Sequence, residues 1–220
     1  MALFDEAFVR TTPFGVLAGM HLPDTADAAA HEALHPDERA HVATLGARRH
    51  AEWIGGRLAF WRAAAELGIP RGSLRTGERG QPVLPEGLAG SISHKSALAV
   101  ALVARADAGT LGVDLEALSP ARPTIADIAM RADERAVLER IPEPERWRAL
   151  VLAFAVKEAL YKALHPRVGR YVRYDEAAVI FEGEPTIRLH LDGGATFHTE
   201  VLVEPVDGHV LACVRVTPRG

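Results

Sequence analysis

The C-terminal stretch narrows the choice of fold most. Four short apolar runs, at residues 177–181, 186–191, 196–204 and 209–216, are separated by turns at Gly183, Asp192-Gly193-Gly194 and Asp207-Gly208. Runs of this length, punctuated by Gly and Asp, read as strands. Joined by turns this short, they read as antiparallel neighbours.

Upstream, the apolar residues switch to helical spacing in two places. Ile54, Leu58, Trp61 and Ala65 predict a helix over most of 36–68, stopped by Gly68 and Pro70. Ala149, Ala153, Val156 and Leu160 predict a second over 147–164, ended by His165-Pro166. A short helix is expected over 133–140. Strands are expected at 14–20, 97–105 and 111–116, with a turn at 106–110 that would make the last two a hairpin. The Gly- and Pro-rich stretch 71–87 reads as turns around a short strand, and 119–123 as a polar break. Each half thus offers one long helix and a set of antiparallel strands. The expected class is α+β, with two similar halves in a pseudo-twofold arrangement, 1–108 and 109–220. No clean internal repeat supports the duplication.

The 220 residues carry a net charge of -4, unevenly spread. Between Arg39 and Arg79 there are eight Arg against three Asp or Glu. A basic region on an acidic chain suggests a bound anion rather than nucleic acid; the plainer reading is a solvated helix face. No run approaches the roughly 18 apolar residues of a membrane span. The opening MALFDEAFVR has Asp5 and Glu6 where a signal peptide would be basic, so none is expected. The single cysteine, Cys213, excludes an internal disulfide and fits a cytoplasmic location.

Three segments could carry chemistry. In Gly112-Val113-Asp114-Leu115-Glu116, strand alternation sends Leu111, Val113 and Leu115 into the core. Asp114 and Glu116 then share the other face, roughly 7 Å apart, where they repel unless a cation sits between them. The plainer reading is an exposed strand face. In Phe154-Ala155-Val156-Lys157-Glu158-Ala159-Leu160-Tyr161-Lys162, Glu158 and Lys162 share a helix face, either as a surface ion pair or as a metal ligand beside a phosphate-holding lysine. In Ser91-Ile92-Ser93-His94-Lys95, the side chains of Ser93, His94 and Lys95 can donate to phosphate oxygens. A nucleophilic Ser–His pair is disfavoured, because neighbours in an extended segment point apart.

In this order, SISH, GVDLE and FAVKEALYK resemble the 4'-phosphopantetheinyl transferase superfamily of the surfactin-synthetase type. The segments RRHAEWIGGRLA at 48–59 and GERGQPVLP at 77–85 resemble its enterobactin-synthetase subgroup. The resemblance covers roughly 36–182. It implies that Asp114, Glu116 and Glu158 bind Mg2+, which would bridge the pyrophosphate of coenzyme A. It implies that Arg49, Arg57, Arg79 and His94 hold the 3'-phosphate side, that Ser93 contacts the nucleotide, and that Lys162 grips the pyrophosphate. Lys157 matches the motif as a further coenzyme A contact. Glu158, or a metal-bound water, would take the proton of a carrier-protein serine, with Lys162 beside it. The acyl or peptidyl carrier protein would dock an acidic helix near Arg167, Arg170 and Arg173. The resemblance further implies a monomer with its site at the interface of two similar halves; the composition and charge lead to the expectation of no membrane or nucleic-acid partner.

The chain departs from the family pattern at Phe154, often Trp, at Gln81, sometimes basic, and at Tyr171, often Trp, which bears on the pantetheine-side pocket. Three rival readings stand beside transfer. One is a non-catalytic protein binding coenzyme A or carrier protein. Another is a metal-dependent pyrophosphate hydrolase. The third is a zinc hydrolase, from His31-Glu32-Ala33-Leu34-His35, an H-E-x-x-H pattern that Pro36 interrupts at once.

Overall fold

The computed structural model describes residues 4–25, 28–32, 34–78, 80–181 and 183–219, apart from the side chains at 28, 47 and 48. The chain forms two compact units, Met1–Ala108 and Gly109–Gly220.

The first unit holds β1 (Asp5–Thr12), β2 (Gly15–His21), α1 (Ala28–Glu32), α2 (Pro36–Val42), α3 (Ala47–Glu66), β3 (Leu88–Lys95) and β4 (Leu98–Arg105). The strands make one antiparallel sheet in the order β1-β2-β4-β3. The register opposes Val16 to Val103 and Ala18 to Ala101, so these four share a face. That face packs with Ala59, Phe60, Trp61, Ala63 and Ala64 of α3, and with Leu74 from the following loop.

Several expectations change here. The helix predicted over 36–68 is two helices, because the chain opens at Thr44–Gly46 and restarts with extended Gly46 as the N-cap of α3. Ala65, counted in the apolar stripe, is exposed. β1 lies outside the strands expected from the sequence. Among its described residues, the stretch 71–87 contains no strand, only an isolated bridge between Thr76 and Pro82. The hairpin expected of 97–105 with 111–116 does not form: β4 pairs with β2 and β3, and the second run joins another sheet. Gly109, at φ 101°, redirects the chain there, and a Cβ would come within 2.7 Å of the Val216 carbonyl oxygen.

The second unit holds β5 (Thr110–Ala117), α4 (Ile125–Ala129), α5 (Ala132–Leu138), α6 (Glu145–Val168), a 3-10 turn (Tyr174–Glu176), β6 (Ala177–Ile180), β7 (Thr186–Leu189), β8 (Phe197–Val206) and β9 (His209–Pro218). Its sheets run β5-β9-β8 and β6-β7, both antiparallel. The helix predicted to end at His165-Pro166 continues through Pro166 to Val168. Proline so near the terminus removes one donor without breaking the last turn. The stop is Gly169, left-handed at φ 66°, whose N–H closes on the His165 carbonyl at 3.0 Å.

α6 lies against β5 and β9, where Val210, Ala212, Val214 and Val216 meet Ala153, Val156, Ala159, Leu160 and Ala163 in one core. The register pairs Gly112, Asp114 and Glu116 with Val214, Ala212 and Val210. The carboxylate face of β5 is therefore the face that α6 covers, not one turned away from the core. Leu111, Val113 and Leu115 are buried on the opposite face.

Gly112 makes this approach possible. A Cβ there would lie 1.8 Å from the Ala159 carbonyl oxygen, a backbone atom that cannot swing aside. Gly112→Ala should destabilise the chain by about 1–3 kcal/mol, lowering Tm by roughly 2–12 °C. A thermal melt coincident with the parent would rule out so close a packing.

Candidate active site

β5 brings Asp114 and Glu116 to the face of α6 that carries Glu158 and Lys162. Lys162 Nζ donates to Asp114 Oδ1 at 2.7 Å and to the Val113 carbonyl at 2.9 Å. Asp114 is buried; Glu116, Glu158 and Lys162 are half-buried. Glu158 Oε1 accepts a hydrogen bond from the Tyr174 hydroxyl. Burial raises the Glu158 pKa above the usual carboxylate range; the Tyr174 hydrogen bond opposes that rise, and the negative charges of Asp114 and Glu116 add to it. Burial and the same hydrogen bond raise the Tyr174 phenol well above its ordinary value. Glu158, Tyr161, Tyr171 and Tyr174 stand in the wall of a cleft of about 160 Å³.

Among the described residues, no three His, Cys, Asp or Glu side chains stand together as a ready metal cage. Lys162 supplies the positive charge beside Asp114 in this arrangement. The donor set nevertheless suits a hard divalent cation: Glu158 feels the charges of Asp114 and Glu116, and all three carboxylates offer oxygen.

Lys157 is a correction. Its Nζ is buried and donates to the Ala129 carbonyl at 2.8 Å, the Tyr174 carbonyl at 3.0 Å and Glu134 Oε2. An ammonium has three donors, and all three are taken by protein, so none is left for coenzyme A. Buried Glu134 also accepts from the N–H groups of Arg131 and Val179, both at 2.8 Å. Burial lowers the Lys157 pKa, and Glu134 partly offsets this.

Arg170 and Arg173 are both engaged by carboxylates of their own chain. Arg170 clamps both oxygens of buried Glu176, holding that carboxyl at a pKa of about 2. Arg173 pairs with Asp175 and Asp192. Both stitch down the chain after α6 rather than offering unengaged charge to a carrier protein. Arg167 reaches Thr110 Oγ1 at 3.4 Å.

In the first unit, Arg57 is buried on α3, stacked 3.4 Å over the Trp53 ring and donating to Thr76 Oγ1 at 2.8 Å. Desolvation lowers its pKa to about 10, against the opposing charge of Glu38. Arg57 Nε is buried with no hydrogen-bond partner among the described residues, a donor suited to an anion. Arg49 is exposed on the same helix. His94 Nδ1 lies 3.6 Å from Glu52 Oε2 of α3. Ser93 is buried on the opposite face of β3 from His94, as strand alternation requires. Arg79 lies outside the described residues.

The zinc pattern loses its helix. His31 belongs to α1, whereas His35 is the N-cap of α2, accepting from the Asp37 N–H at 3.3 Å. The two histidines therefore lack the single-turn spacing that a zinc pair on one helix needs.

A family model for the 4'-phosphopantetheinyl transferase N-terminal domain matches residues 37–104, and one for the 4'-phosphopantetheinyl transferase superfamily matches 110–214. The chain is 35% identical over 167 residues to 4'-phosphopantetheinyl transferase Svp of Streptomyces mobaraensis, covering 73% of this chain and 67% of that one. It belongs to the 4'-phosphopantetheinyl transferase superfamily. Identity to the transferase Npt of Nocardia iowensis is 33%, over 77% of this chain and 75% of that one. Enterobactin synthase component D of Salmonella typhi is 34% identical over 73% of this chain and 67% of its own. A solved holo-[acyl-carrier-protein] synthase from Thermotoga maritima is similar over 50% of this chain and 63% of its own, at 20% identity and a TM-score of 0.41.

Sequence reasoning about this transferase missed Tyr174 and Glu134. Tyr174 lies 16 residues from Glu158 and Glu134 lies 23 from Lys157, so no local spacing announces either pair.

Proposed function

We propose that the chain transfers the 4'-phosphopantetheine group of coenzyme A to a serine of an apo acyl or peptidyl carrier protein, releasing 3',5'-ADP, with Mg2+ held by Asp114, Glu116 and Glu158. The observation that carries this reading is the meeting of β5 and α6, where Lys162 pairs with Asp114 and Glu158 senses both β5 carboxylates. When bound, the cation supplies Lewis-acid polarisation and neutralises charge on the diphosphate.

The chain's own groups do the rest. Lys162 holds negative charge beside Asp114 and grips the pyrophosphate as charge develops on the leaving group. Glu158 accepts the serine proton. Arg49, Arg57 and His94 take the 3'-phosphate side, supported by the buried donor of Arg57, and Ser93 contacts the nucleotide. Arg79 is assigned to the same phosphate on the sequence resemblance alone. Tyr171 borders the cleft; the sequence resemblance assigns it to the pantetheine side. The retained carboxylates and Lys162 favour transfer over passive binding.

The test is incubation with coenzyme A, Mg2+ and an apo carrier protein. Intact-mass measurement should show the carrier serine carrying phosphopantetheine, with EDTA abolishing the adduct and Mg2+ restoring it. Phosphopantetheine released into water without an adduct would instead indicate a pyrophosphate hydrolase.

A further inference from the structure

Glu158 and Lys157 are neighbours on α6, and both contact the same distant residue. The Tyr174 hydroxyl donates to Glu158 Oε1. The Tyr174 carbonyl accepts from Lys157 Nζ at 3.0 Å. Tyr174 is thus gripped at its main chain and delivers its side chain to the adjacent helix position. The grip is anchored: Lys157 is fixed by Glu134 and the Ala129 carbonyl, and Glu134 by the Arg131 and Val179 N–H groups. Arg131 Nη1 donates to the carbonyl of Asp175, next along the 3-10 turn, and Arg170 clamps Glu176 at its end. The Tyr174 ring rests against Phe154, centroids 6.1 Å apart.

We propose that Tyr174 positions the Glu158 carboxylate for the transfer step, and that Lys157 and Glu134 serve to hold Tyr174 in place. The inference rests on the function proposed above, with Glu158 acting on the serine proton and on the cation. A glutamate has three side-chain torsions to settle. A hydroxyl fixed to Oε1 removes the freedom of the last of them and leaves Oε2 facing one direction. Groups that orient a metal-binding or proton-accepting side chain typically change affinity or activity by about 10–100-fold when removed. Packing alone does not need this hydroxyl, since a phenylalanine ring would fill the same space against Phe154.

The test uses the full chain with Tyr174→Phe. The parent must first form the carrier adduct; if it does not, the assigned activity fails and this proposal with it. Given an active parent, kcat for Tyr174→Phe should fall by about 10-fold or more, with KM for coenzyme A within about twofold. Mn2+ binding without turnover, read by electron paramagnetic resonance, should weaken by a similar factor. Unchanged kcat would overturn the proposal, as would a lower kcat with parental Mn2+ affinity. Should Tyr174→Phe melt well below the parent, p-aminophenylalanine and p-methylphenylalanine at position 174 give a matched pair of nearly equal size. The amino group donates and the methyl group does not. The proposal requires the amino variant to be faster by about 10-fold; equal rates would defeat it.

Discussion

Asp114→Ala is expected to cut carrier-protein modification by on the order of 10²–10³-fold, the scale at which a single preorganised electrostatic group acts in a water-poor site. Asp114 is 5% exposed, and its Oδ1 is the partner of Lys162. Its removal takes away a proposed cation ligand and frees the Lys162 ammonium to move, although the Val113 carbonyl still restrains it. Asp114→Asn separates charge from shape. The amide fills the same volume and can still accept from Lys162, yet it brings no negative charge to a cation. Both variants should lose activity to a similar degree, and raising Mg2+ should recover part of it in the amide. Steady-state rates across a Mg2+ series, with circular dichroism to confirm folding, decide the matter. If Asp114→Asn transfers at the parental rate, the carboxylate is only a structural mate for Lys162.

Glu134→Ala should be the most damaging single change to stability. The Glu134 and Lys157 side chains are each 2% exposed. Breaking a buried pair from one side costs about 3–5 kcal/mol, because the surviving charge is stranded. For a chain of this size that corresponds to a Tm lowered by roughly 6–20 °C. The N–H groups of Arg131 and Val179 lose their acceptor as well. The sign with pH follows from Lys157, whose folded-state pKa is already lowered by burial and would fall further without Glu134. Below that value the ammonium must be buried charged, so the deficit is greatest there. It shrinks as pH rises past the variant's folded-state value toward the parent's, because the variant sheds the buried proton first. Chemical denaturation of Glu134→Ala at neutral and alkaline pH should show this narrowing. Replacing both partners, Glu134→Leu with Lys157→Met, should recover much of the loss, because no charge is then stranded.

Both variants probe contacts of α6, which the sequence describes unevenly. The apolar spacing of Ala153, Val156 and Leu160 locates its buried side, yet Pro166 misplaces its end, because a proline in the last turn removes too little bonding to stop it. Strand alternation correctly separates Leu111, Val113 and Leu115 from Asp114 and Glu116. It cannot say which face a helix will cover when both are buried. Gly112 carries that information, because only a residue without Cβ allows Ala159 to approach so closely. The end of β4 and the start of β5 look like a hairpin locally, and partners far along the chain override that preference.

The family and the mixed helix-and-sheet class were legible in the linear order of SISH, GVDLE and FAVKEALYK and in the punctuated strands of the tail, because these depend on local pattern and short spacing. What only the folded chain decided is how the motif residues are employed. Lys157 and Glu158 are adjacent in sequence, but one turns into a buried ion pair with Glu134 and the other toward Tyr174 and the β5 carboxylates. Successive helical side chains point about 100° apart, so their partners come from separate, distant segments. The desolvation that shifts their proton affinities exists only once those segments have closed around them.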